Sequence, residues 1–160
     1  MNSVISKQIG SFAVIIVVLA LAFILWSTNL FAGTPPTNIG VTNGKLADCA
    51  ATPNCVNSQA LATDSQHAIA PIPMRGDTQT TIANLKRVIQ AMPSTNIIKE
   101  TNNYLYVEFT SKLMKFVDDV EFYLDNDLKM IQVRSASRLG ESDLGVNRQR
   151  IEAIRSKLAS

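Results

Sequence analysis

The stretch that most constrains this chain runs from Ile9 to Trp26, IGSFAVIIVVLALAFILW, eighteen residues without a charge. No charge occurs between Lys7 and Lys45 either. As a helix rising about 1.5 Å per residue, such a run is long enough to cross the hydrocarbon core of a bilayer. A helix also satisfies its backbone polar groups internally, as lipid requires. Lys7 and the amino terminus are expected to stay cytoplasmic, which sends the rest of the chain across the membrane. Trp26 stands at the far edge, where an interfacial aromatic is at home. The competing reading is a signal peptide cleaved after Ala32. Leu30 is a poor small residue at the −3 position, and the apolar run exceeds the usual core of about 7–15 residues. Residues 1–32 are therefore expected to be a retained membrane anchor or an uncleaved signal segment. That places the chain in the inner membrane, single-pass, with its C-terminal domain in the periplasm.

Residues 33–45, GTPPTNIGVTNGK, have a linker composition, semi-extended at Pro35-Pro36 and otherwise flexible. Residues 46–160 form the expected exported domain. Of the fifteen basic residues Lys7 alone precedes the linker's Lys45, and thirteen acidic residues nearly balance the remainder. That balance gives no case for nucleic acid. Cys49 and Cys55 are the only cysteines, with Pro53-Asn54 forming a turn between them. In an exported domain the default is a disulfide closing this small loop. The alternative is a metal site of Cys49, Cys55, His67 and Asp64, but its spacing is not that of a zinc finger or ribbon.

His67 to Met74 is a short extended segment in which Pro71 and Pro73 exclude a central strand. Asp77 or Thr78 is expected to cap a helix that buries Ile82, Leu85, Val88, Ile89 and Met92 at i, i+3, i+4 spacing and ends at Pro93. Strands are expected around Leu105–Phe109, over Phe116–Leu124 and from Lys129 to about Ser137, with a further one starting at Ile97 or Ile98. A last helix covers about Leu144 to Leu158. The fold class is α+β: an antiparallel curved sheet of three to five strands, two helices on one face, and one transmembrane helix in front.

A tight turn at Asp125–Leu128 pairs Leu124 with Lys129, Phe122 with Ile131 and Val120 with Val133 on one apolar face. Asp119 then lies opposite Arg134 on the polar face. Asp118 shares the apolar face, opposite Ser135, and must find donors there. Ser135, Ser137 and the Gly140 loop are the candidates.

Three segments, DCAATPNCVNSQA, FVDDVEFYLD and VRSASRLGESDLGVNRQRIEAIR, together with the D-x-x-H of Asp64 and His67, resemble the domain-of-unknown-function 1499 family. The resemblance covers about Leu46 to Leu158. Its hallmarks are a C…P-N-C-V-S-S run, a D-D-V-E-F strand and an R-S-A-S-R-x-G-x-S-D-x-G-x-N-R segment; Asn57 stands where the family more often has serine. The resemblance implies domain boundaries, and it is similar to proteins with an N-terminal hydrophobic segment. It implies no reaction.

The densest cluster of chemistry-bearing residues lies between Arg134 and Arg150. As an anion site, Arg134, Ser135, Ser137, Arg138 and Arg148, with His67, would fork onto a carboxylate or phosphate. As a structural network, the arginines neutralise Asp118, Asp119, Glu121 and Asp143 and pin the 139–147 loop to the sheet. No G-x-S-x-G elbow accompanies the serines, and Asp118 and Asp119 point to opposite faces of a strand, so they cannot act as an acid/base pair. No phosphate loop, dinucleotide fingerprint or EF-hand is present, and no cofactor is expected. The expected function is a membrane-anchored periplasmic accessory or interaction module. It is read as non-enzymatic, with an unidentified membrane or periplasmic protein as partner. The alternative is a small-anion or lipid-headgroup binding domain, or a hydrolase, using the Arg134–Arg138 segment.

Overall fold

The computed structural model describes residues 14–24 and 31–160. Among the described residues it is an α+β fold with an antiparallel open sheet of six strands and three helices. Helix α1 is described over residues 14–24. Then follow β1 (Cys55–Asn57), β2 (Ile72–Pro73), α2 (Thr78–Gln90), β3 (Thr95–Glu100), β4 (Tyr104–Thr110), β5 (Val117–Asp125), β6 (Met130–Ser137) and α3 (Val146–Ala159). Among the described residues no helix is long and apolar enough to cross a membrane. The rest of the expected anchor, residues 1–13 and 25–30, lies outside the described residues.

The sheet order is β1-β6-β5-β4-β3, with β2 also pairing along β6. The count exceeds the expected three to five because β1 and β2 are three and two residues long. Such short pieces carry no period-two signal. They form only because β6 offers them one free edge, β1 opposite Arg134–Ala136 and β2 opposite Met130–Ile131.

Helix α2 starts where Asp77 accepts a hydrogen bond from the Thr80 N–H at 2.7 Å, supplying one of the orphan donors of the first turn. Its Ile82, Leu85 and Ile89 are buried with Ile151 and Ile154 of α3 against Leu105, Val107, Phe122 and Val133 of the sheet. Both helices therefore pack on one face, as the apolar spacing demands.

The β5–β6 register differs from the expected one by two residues. Leu124 pairs with Ile131, Phe122 with Val133, Val120 with Ser135, Glu121 with Arg134, Asp119 with Ala136 and Asp118 with Ser137. Asp125 is the cause. It ends the strand opposite Met130, and its carboxylate accepts from the N–H groups of Asp127 and Leu128. The turn thus begins one residue later, and Lys129 closes it in the left-handed region at φ 55°. A two-residue shift leaves every side chain on its expected face.

The opposite face carries Tyr104, Tyr106 and Glu108 of β4, Asp119, Glu121 and Tyr123 of β5, and Gln132 and Arg134 of β6. Residues 39–46 lie over it. Leu46 is buried against Tyr104 and Tyr106, and Ile39 and Val41 join the same cluster. The Gly40 N–H donates to Glu121 at 2.7 Å. The stretch read as linker is thus bonded to the sheet and covers this face.

Candidate functional site

Three groups of polar side chains gather the residues singled out in the sequence, and each sits in a different place. The first lies under residues 39–46. Glu121 is fully buried, its carboxylate accepting from Tyr104 Oη at 2.7 Å, from the Gly40 N–H and from Arg134 Nη1 at 3.3 Å. One turn of the pleat away, Arg138 grips Asp119 with two bonds, Nε to Oδ2 at 2.9 Å and Nη2 to Oδ1 at 2.7 Å, and also pairs with Glu108. Tyr106 donates its hydroxyl to Asp119 as well. Two guanidiniums thus face three carboxylates, with two phenols as extra donors, which is how buried charges are made tolerable. Burial, then the adjacent carboxylates, push the Tyr104 and Tyr106 phenols far above their ordinary range. Asp119 holds the Arg138 proton more tightly still. Arg134 Nε is buried with no partner among the described residues.

The second group is centred on Asn147, fully buried at the start of α3. Its side-chain oxygen accepts from Ser135 Oγ at 2.5 Å and Arg150 Nη1 at 2.6 Å; its amide donates to the Asn54 carbonyl and to Ser137 Oγ, both at 3.0 Å. Arg150 also pairs with Asp118 and lies over the Phe109 ring at 4.8 Å. Asp118 is therefore neutralised by an arginine of α3, and the serines hold Asn147 rather than Asp118. Asn54 completes the group by donating to the Gly140 carbonyl at 2.5 Å and accepting from the Ser137 N–H.

The third group is built on the cysteine loop. Cys49 and Cys55 form a disulfide, with an S–S distance of 2.05 Å. Their sulfurs are thus not thiolates, and the alternative metal set loses two ligands. His67 Nδ1 lies 2.7 Å from Asp64, and Nε2 lies 3.2 Å from the Thr52 carbonyl of the loop. The hydrogen bond to Asp64, opposed by burial, raises the His67 pKa above its ordinary value and lowers that of Asp64. Arg148 donates to the carbonyls of Ala68 at 2.8 Å and Gln66 at 3.0 Å, fixing residues 65–68 to α3.

The proposed anion set is therefore divided. Arg134 and Arg138 lie on the covered face, Ser135 and Ser137 on Asn147, Arg148 and His67 beside the disulfide loop. Asp118, Asp119 and Glu121 each pair with an arginine, but Asp119 takes Arg138 where Arg134 was expected, and Asp118 takes Arg150 where serines were expected. Asp143 instead accepts from the Asn147 N–H at 2.7 Å and the Gly145 N–H at 3.0 Å, holding the start of α3. Sequence reasoning missed Asn147 and Arg150 as a unit. The signal was there, in two polar residues at i, i+3 on the face that also carries Ile151 and Ile154. The tyrosines as carboxylate donors had only their shared face with Glu108 and Glu121 as a clue.

A model for a protein family of unknown function (DUF1499) matches residues 45–158. The chain belongs to this family. No curated protein matches the chain. Within the DUF1499 domain, the cysteine-loop segment, the β5 segment and the segment from β6 into α3 are far apart in sequence. They meet at Asn54, Asp118, Ser135, Ser137, Asn147 and Arg150. Those segments therefore encode how the cysteine loop, sheet and last helix are fastened together. Most of the covering stretch, residues 39–44, precedes the matched region.

Proposed function

We propose that this chain is a membrane-tethered, exported accessory module that works by interaction and not by catalysis. The observation that carries this reading is the direction of the four arginines of the Arg134–Arg150 segment. Arg134, Arg138 and Arg150 bond to carboxylates of the same domain, and Arg148 bonds to its backbone carbonyls. Among the described residues the four guanidiniums are thus directed at separate groups of the domain itself, and Arg134 Nε alone is buried without a partner. The tether rests on the uncharged run from Ile9 to Trp26, and the export on its flanking charge and on the disulfide, which belongs to an oxidising compartment.

Two measurements test it. Alkaline carbonate extraction of native membranes is expected to leave the full chain in the pellet; release into the supernatant overturns the tether. Inorganic phosphate and glycerol 3-phosphate are expected to leave the melting temperature unchanged, while Arg138→Gln lowers it without either anion. An anion-dependent rise that Arg138→Gln abolishes would instead establish the small-anion reading.

A further inference from the structure

We infer that the end of the domain formed by the β4–β5 loop (residues 111–116) and the 139–146 loop lies against the bilayer and inserts its exposed leucines at the headgroup boundary. This rests on the tether proposed above.

Leu113 and Leu144 are 88% and 89% exposed, and Met114, Leu139 and Val146 are also exposed. Elsewhere in the domain Leu61, Ile98 and Leu128 are exposed singly, which is ordinary. Here five apolar residues share one end, and the two loops border a common cleft lined by Ser111, Phe116, Leu139, Ser142 and Val146. The loop tips are held outward. The Ser111 N–H donates to the Phe116 carbonyl and the Phe116 N–H to Ser111 Oγ, closing the β4–β5 loop at its base. Leu144 sits in the left-handed region at φ 56°, a backbone state that disfavours leucine, and gains no packing in return. A strained, fully exposed leucine needs a surface to meet.

Chain length says which surface. If the span ends at Trp26, five residues bring the chain to Phe31, at most about 17 Å when extended. Phe31 packs on Phe116 at 5.1 Å between ring centroids, and Gly33, at φ 66°, lies so close to Arg138 Cβ that a side chain there would clash. The tether therefore enters the domain at the base of the β4–β5 loop. Charge agrees with an anionic headgroup layer. Lys112 and Lys115 flank Leu113-Met114 with no ion pair among the described residues. On the facing loop Asp143 is engaged at the start of α3 and Glu141 is the remaining acid, while Asp118, at the adjoining end of β5, is held by Arg150.

The test reconstitutes the full chain into vesicles of phosphatidylglycerol and phosphatidylcholine. Single cysteines at Leu113→Cys, Leu144→Cys and, as a control, Leu128→Cys carry an environment-sensitive fluorophore, attached without reductant so that the Cys49–Cys55 bond persists. Leu128 lies at the far end of β5, about 27 Å away at strand rise. Expected are blue-shifted emission at 113 and 144, quenched by lipids bearing a nitroxide near the headgroup, and aqueous emission at 128. The added pair Lys112→Glu and Lys115→Glu should reduce the shift. Emission at 113 and 144 as aqueous as at 128 overturns the docking. So does a blue shift that lipid nitroxides fail to quench, since a protein surface then covers the loops. Carbonate extraction of the same vesicles separates the two readings: a retained chain with aqueous labels defeats the docking alone, whereas an extracted chain defeats the tether and the docking with it.

Discussion

The two faces of the sheet solve the same problem with opposite chemistry. On the inner face Leu105, Val107, Val120, Phe122 and Val133 are buried by α2 and α3, a core in which volume and shape decide the energy. On the outer face the same strands present Tyr104, Tyr106, Asp119, Glu121 and Arg134, buried under one irregular segment. There the energy depends on every charge finding a partner. Side-chain alternation along a strand thus permits two cores of different kinds on one sheet. The polar one tolerates a thin cover because its members bond to each other and need little from above.

Breaking one member of each face gives the sharpest contrast and the largest effects. Phe122→Ala should cost about 3–5 kcal/mol in urea unfolding, through a cavity that the packed helices cannot fill. Arg138→Met should cost a similar amount, about 3–5 kcal/mol, by leaving Asp119 buried and unpaired. The two diverge on repair. Adding Asp119→Leu to Arg138→Met should recover most of the loss, since an apolar pair can replace a buried ion pair, whereas no polar change repairs Phe122→Ala. An Arg138→Met cost below about 1 kcal/mol would reduce the outer cluster to ordinary surface ion pairs.

Next in size is the cover. Leu46→Ala should cost about 2–3 kcal/mol, at the low end for a buried leucine because an irregular segment can collapse onto Tyr104 and Tyr106. No measurable loss would show that residues 39–46 rest on the outer face without stabilising it. Reduction of Cys49–Cys55 should remove about 2 kcal/mol, the modest amount expected for so small a loop. The effect would exceed that value if Asn54 lost its hold on Asn147 at the same time.

The smallest effect is the pH dependence from His67. Its folded-state pKa is raised, with the Asp64 hydrogen bond the largest cause. The contribution is complete below the unfolded value of about 6.5 and is lost as pH rises through the folded value. The melting temperature should therefore fall as pH rises above about 6.5, by a small increment that His67→Asn removes. A wild-type chain whose pH profile matches that variant would exclude protonation of His67 from the stability of the cysteine loop.

Local pattern made the two helices, the four longer strands and the facing of each residue legible, because side-chain period follows directly from backbone geometry. The Asp77 cap and the apolar face of α2 emerged close to their observed positions for that reason. The β5–β6 pairing was displaced by two residues because Asp125 uses its side chain to close the turn, a choice that period two cannot register. The candidate site was half legible. Arginines do pair with Asp118, Asp119 and Glu121 but not with Asp143, and Asp119, Glu121, Arg134 and Arg138 share the outer face. The assignment of partners was not legible: Arg138 takes Asp119, Arg134 takes Glu121, and Asp118 goes to Arg150 on α3.

By itself the sequence determined the apolar N-terminal run, the family, the disulfide-forming pair and the two-faced strands, all properties of composition and spacing along the chain. Only the tertiary structure decided that residues 39–46 cover the polar face. It alone placed Asn147 as the bond between sheet, helix and cysteine loop, and gathered five exposed apolar residues at the end where Phe31 enters. The physical reason is the same in each case. A side chain's period is fixed by its own backbone, whereas its partner is fixed by which distant segment buries it.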